Sequence, residues 1–261
     1  MKGLGLAVRQ LRYENKMFWR NPAAAFFTFV FPLMFLVIFN LIFGSGDTTP
    51  RFGGPYEVSL STFYVPAVVA FGLISACYTN IAITLVFSRD EGQLKRMRGT
   101  PLPAASYMFA RIGQAIIVAI ILVIITVAFG RLFYDVELPG HTVPAFVVSL
   151  AVGAMCFSAL GIAVTAIVPN PDAAPAVINA SILPLLFISD IFIPLDDAPS
   201  WLGKFSKIFP VRHLSNALVT TYDPFAKGSG FVASDLIVMG VWFVIGVVIA
   251  VRFFSWEPRV S

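Results

Sequence analysis

Apolar residues in this chain fall into long unbroken runs, not into the strict alternation of a half-buried strand or the one-faced stripe of a soluble helix. Six runs stand out, over residues 23–43, 61–87, 106–130, 143–168, 174–194 and 231–253. A helix needs about 20 apolar residues, rising 1.5 Å each, to cross a hydrocarbon core of about 30 Å. Each run therefore predicts a membrane-crossing helix. Strands of a membrane barrel would alternate polar and apolar positions over about ten residues, and these runs do not. The expected fold class is an all-α integral membrane protein with six transmembrane helices, forming a single transmembrane domain over 1–261.

Two stretches outside the runs carry pattern of their own. Over residues 1–22 a helical wheel gathers Leu4, Val8, Leu11, Phe18 and Trp19 on one side and Arg9, Arg12, Lys16 and Arg20 on another, which predicts an amphipathic helix lying in the membrane interface. The apolar run behind it is too long for a signal peptide and lacks a small-residue cleavage site, so the segment is expected to be retained. Between the fifth and sixth runs, residues 195–230 are not plainly polar. Trp201, Phe205, Ile208 and Phe209 recur at helical spacing, with Pro194, Pro199 and Pro210 as breaks. This predicts an external helical hairpin that re-enters the membrane, with Trp201 as an interfacial anchor.

Composition agrees with membrane residence: 58% of residues are hydrophobic and 12% charged, against roughly a quarter charged in soluble domains. The net charge of +4 is concentrated at the ends of the runs, which suits lipid headgroups and not nucleic acid. Lys2, Arg9, Arg12, Lys16 and Arg20 precede the first run, and Arg89, Lys95, Arg96 and Arg98, with Arg111 at the start of the third run, are assigned to the connection between the second and third. The alternate connections hold Arg51 and Arg131 beside Asp47, Glu57, Asp135 and Glu137. The bias of basic residues to the inside predicts cytoplasmic termini in a multi-pass protein of the cell membrane. Cys77 and Cys156 lie within apolar runs and behave as small hydrophobes, and His141 and His213 are read as separate loop residues without metal-ligand spacing.

The most chemically marked loop is 88–105, beginning SRDEGQLKRMRGTPL. Asp90 and Glu91 suit the positive end of a short helix, Lys95, Arg96 and Arg98 its negative end, and Gly99 with Pro101 stop it. Leu94 and Met97, three residues apart, form an apolar ridge suited to a groove on another protein. A solvated loop whose charges only set topology is the competing reading.

This loop resembles the glutamate–glycine–leucine then T-P-L pattern between the second and third spans of ABC-2 type transporter permeases, matched at Glu91, Gly92, Leu94, Thr100, Pro101 and Leu102. A second stretch is similar too: Pro194, Pro199, Trp201 and Pro210 stand where the family places prolines and a tryptophan after its fifth span. Asp190 departs from the family, which commonly has glycine there. The resemblance implies a six-span half-transporter paired with a second copy or homologue and driven by a separate ABC ATPase. It implies that 88–105 is the coupling helix, with Glu91, Gly92, Leu94, Met97, Thr100 and Pro101 as the ATPase-coupling residues. Cargo in the family includes drugs, lipids and glycans, which gives an efflux permease as the first expectation and a lipid or polysaccharide exporter as the second.

The residues agree that the motor lies elsewhere, since the chain contains no G-x-x-x-x-G-K-[ST] and is expected to use no cofactor of its own, ATP being bound by the partner. No Ser, His and Asp grouping suggests an enzyme. A stand-alone carrier or channel is the rival from another class. For it the working groups would be Asp190 and Asp235, the carboxylates within the runs, though both fall near the outer ends, where an interfacial role is favoured. Thr79, Asn80, Thr84, Gln114, Ser158, Thr165, Asn179 and Ser181 are read first as helix-packing groups and second as pathway lining.

Overall fold

The computed structural model describes residues 2–43, 48–49, 58–99, 103–192, 199–225 and 228–257. Thr100, Pro101, Leu102, Pro194 and the first residues of the 195–230 segment lie outside the described residues, as do the side chains of Leu4 and Arg98. The described chain is almost wholly helical. Its order is α1 (Lys2–Trp19), α2 (Pro22–Phe43), a two-residue antiparallel ladder of β1 (Thr48–Thr49) with β2 (Val58–Ser59), and α3 (Leu60–Ile74). A π-helical turn, Ser75–Thr79, runs on into α4 (Asn80–Asp90). Then follow α5 (Gln93–Arg98), α6 (Ala104–Tyr134), α7 (Val143–Val164), α8 (Ala174–Phe187), α9 (Ser200–Ser206), α10 (Pro210–Thr221) and α11 (Ala233–Phe253).

Five helices among the described residues are long and apolar enough to cross a bilayer: Pro22–Ile42, Leu60–Asp90, Ala104–Tyr134, Val143–Val164 and Ala233–Phe253. They coincide with five of the six expected spans. The fifth expected span, 174–194, yields only the 14-residue α8, about 21 Å of helix and short of a full crossing. The apolar run continues, but the backbone turns at Ile188–Asp190, where Asp190 takes a left-handed φ of 57°. Hydropathy cannot register that break.

Burial sorts the helices. The continuous rod of α3, the π turn and α4 is the centre, with 72% of its most apolar window buried, against 11% for α11, whose side chains mostly face outward. Aromatic rings join α2 to this rod: Phe39 stacks on Tyr64 with centroids 5.2 Å apart, and Phe35 meets Phe71 and Phe192. α7 is the second hub, and small residues let it approach its neighbours closely. A Cβ on Gly161 would lie 2.8 Å from the Tyr78 carbonyl oxygen and 2.9 Å from that of Cys77, so α7 rides directly on the backbone of the π turn. On another face Gly246 of α11 abuts the backbone of Ala159. Gly153 faces Leu214 of α10.

Two expectations need correction. α1 forms a helix, but of its expected apolar side only Leu11 and Phe18 face inward, together with Glu14, with Leu11 against Gly113 of α6, while Val8 and Trp19 are exposed. The inward turn of Glu14 follows from Arg111. That residue is not a loop cation: it lies seven residues inside α6, 4% exposed, and makes an ion pair with the equally buried Glu14. α10, the second helix of the 195–230 segment, is set into the bundle. Its Val211, Leu214, Ala217 and Leu218 are buried against α3, α7, α8 and α11, and it runs from the level of Trp242, nine residues into α11, to Thr142 at the start of α7.

Candidate functional site

At the end of the bundle carrying α1, the chain reverses sharply between α4 and α5. Asp90 closes α4, and Glu91 and Gly92 make the turn, with Gly92 at φ 67°, a left-handed conformation that a Cβ would strain. The expected single helix with both acids in its first turn is therefore two helices hinged at Gly92. Glu91 is exposed; its carboxylate accepts from Gln93 Nε2 at 2.6 Å and its carbonyl from Arg96 Nη2 at 3.1 Å. Lys95 and Arg96 share that outer face.

Leu94 and Met97 do not form an outward ridge. Leu94 is fully buried in the main core of this chain, and Met97 packs against the same core. A short helix at the end of an apolar bundle gains most by turning its two apolar residues onto the bundle. They anchor α5 and leave Glu91, Lys95 and Arg96 as its contact face. Of the expected coupling residues the structure brings Glu91, Gly92, Leu94 and Met97 into this one turn, while Thr100 and Pro101 lie outside the described residues.

Residues 9–222 match the family model described as ABC-2 type transporter. The chain belongs to the ABC-2 type transporter family. It is 28% identical over 201 residues, 74% of its length, to a protein of Cyanophora paradoxa named as a transport permease, ycf38. It is 28% identical over 222 residues to a protein of Mycobacterium tuberculosis named as a doxorubicin resistance ABC transporter permease, DrrC, covering 82% of this chain and 73% of that one. A protein of Escherichia coli named as a multidrug ABC transporter permease, YbhR, is 20% identical over 160 residues, 61% of this chain. The chain spans 66% of the first of these relatives and 43% of the last. This family member is a multi-pass membrane protein.

The carboxylates singled out within its runs are committed to internal partners. Asp190, 1% exposed, pairs with Arg212 at 3.2 Å, and its carbonyl accepts from the Ser215 hydroxyl. Asp235, in the first turn of α11, accepts from His213 Nδ1 at 2.6 Å and Asn216 Nδ2 at 2.7 Å. His213 is thus a residue of α10 and not a loop residue, and its other ring nitrogen meets the Lys207 carbonyl at 2.8 Å. The adjacent Arg212 and His213 tie α10 to the end of α8 and the start of α11. A sequence signal existed, two buried acids and two consecutive cations after Pro210, but no local spacing pairs residues 22 apart. His141 is a turn residue, as expected, with Nε2 3.1 Å from the Gly228 carbonyl.

The uncharged polar residues divide. Tyr78, not singled out from sequence, bridges to Ser181 of α8 at 2.6 Å, so Ser181 does join helices. Thr84 and Thr165 instead donate to carbonyls of their own helices, at Asn80 and Ile162.

Proposed function

We propose that this chain is the membrane-spanning permease subunit of an ATP-driven exporter in the cell membrane. It works with a second copy or a homologue and takes its energy from a separate ABC ATPase subunit. Cargo is amphipathic or lipophilic, in the manner of drug efflux, a reading supported by the names of the DrrC and YbhR relatives. In this arrangement α8 serves as the fifth of six spans. α10 re-enters from the outer side, and the basic residues of α1 and the α4–α6 connection keep that end and both termini in the cytoplasm.

The observation that carries the proposal is the hinged α4–α5 turn in a member of this family. Glu91, Lys95 and Arg96 present a charged surface, Leu94 and Met97 bolt it to the core, and Gly92 supplies the bend. An ATPase pressing on Glu91 pushes on a rod that continues through the π turn to the far end of α3, about 46 Å for a 31-residue helix. The ATPase-coupling residues are Glu91, Gly92, Leu94, Met97, Thr100 and Pro101, with Glu91 as contact and the leucine and methionine as anchors.

Purification in mild detergent tests this directly. An ATP-hydrolysing protein should co-purify, and Glu91→Lys should abolish resistance to toxic amphiphiles while the chain still reaches the membrane. Asp190→Asn should be milder. The reverse order, with no ATPase bound, would establish a stand-alone carrier; an intact ATPase complex that protects against no amphiphile would move the cargo to lipid or polysaccharide.

A further inference from the structure

Arg89 stands two residues before Glu91, yet it does not share that residue's exposure: it is 2% exposed. Its guanidinium crosses to the end of α7, where Nη1 donates to the Thr165 carbonyl at 3.1 Å and Nη2 to the Val168 carbonyl at 2.8 Å. Thr165 is the C-cap of α7, and Val168 closes the turn after it. The last carbonyls of a helix have no intrahelical donor and carry the negative end of its dipole, so a cation is well placed there. A rigid two-pronged donor fixes orientation as well as distance, which a lysine would not.

α7 is also the helix on which the π turn, α10 and α11 pack closely. Its Gly161 rests on the π-turn carbonyls, its Ala159 meets Gly246 of α11, and its Gly153 receives Leu214 of α10. We infer that Arg89 is the positioning residue that carries a displacement of the Glu91–Gly92 turn to α7, so that α4 and α7 move as one body and α10 and α11 follow. This deepens the transport reading above and rests on it. It assigns the output of the stroke to the fourth long helix, which Arg89 grips at its end as the π turn does at Gly161.

The test uses the full chain in nanodiscs with its co-purified ATPase subunit. Spin labels are placed at Phe87→Cys on α4 and Ile167→Cys just beyond α7, both exposed positions, while the native Cys77 and Cys156 are buried. With Arg89 present, the interspin distance is expected to be the same in the nucleotide-free and ATP-trapped complexes. With Arg89→Gln it should diverge between the two states although ATP is still hydrolysed, and Arg89→Lys, which keeps the charge but not the fork, should fall between. A distance that already changes between states with Arg89 intact overturns the inference, as does an Arg89→Gln chain that keeps it constant. If the glutamine variant fails to assemble, the unsubstituted and lysine chains decide alone. Absence of any ATPase from the purified material is visible before labels are compared; it sinks the transport reading and this inference with it.

Discussion

His213 presents both ring nitrogens to acceptors, the Asp235 carboxylate and the Lys207 carbonyl, and the doubly protonated ring is the form that can donate to both. The Asp235 hydrogen bond foremost holds its pKa above the usual 6.5, against the opposing pull of burial and of Arg212. A folded-state pKa raised above the unfolded value gives stability that is complete below that unfolded value and is lost as pH rises through the folded one. The thermal midpoint of the purified chain should therefore fall as pH is raised from about 6 to about 9. His213→Gln should flatten that dependence; an unchanged slope would mean that the ring does not titrate in this contact. Asp190 makes a different use of a single position. Its left-handed backbone is a conformation that glycine adopts without strain, but glycine would leave Arg212 without its carboxylate.

At the level of helices, two contacts make opposite predictions from similar burial. Glu14 and Arg111 neutralise each other between α1 and α6. Removing one partner leaves a buried charge, so Glu14→Leu or Arg111→Met alone should cost about 3–5 kcal/mol, whereas the two together should restore stability or exceed it. Melting of the four chains in one detergent forms the cycle, and equal losses for the single and double replacements would argue against the pair. Gly161 tests packing in place of charge. With backbone oxygens under 3 Å from any Cβ, Gly161→Ala must separate α7 from the π turn, a loss of about 1–3 kcal/mol. Gly240→Ala meets nothing within 4 Å and should be neutral or slightly stabilising on the same assay. The helices themselves were legible in the sequence: continuous apolar runs located five spans to within a few residues. Their faces were not. The α1 wheel grouped Val8 and Trp19 with Leu11 and Phe18, because it could not know that Glu14 would be drawn inward by a cation 97 residues away.

For the molecule as a whole, the transport proposal commits the two ends of the bundle to opposite sides of a membrane. A cysteine at Lys95, beside the α4–α5 turn, should react with an impermeant maleimide only after the cells are opened. One at His141, in the turn between α6 and α7, should react in intact cells. The opposite pattern would end the exporter reading. The candidate site was half visible from sequence, which marked Glu91, Gly92, Leu94 and Met97 as one unit but turned the two apolar residues toward a partner. The fold turned them inward, because the bundle end offered an apolar surface nearer than any other protein.

What the sequence determined by itself was the solvent and the places of five long helices. Runs of about 20 apolar residues leave a helix little choice of environment, and that property is local and additive along the chain. Everything that required two distant segments was decided by the tertiary structure: the clasp of Arg89 on α7, the pairing of Asp190 with Arg212 and Asp235 with His213, the inward face of α1, and the break that shortens α8. A buried charge or a strained turn is tolerable only where a partner stands, and partners are brought together by packing, not by spacing.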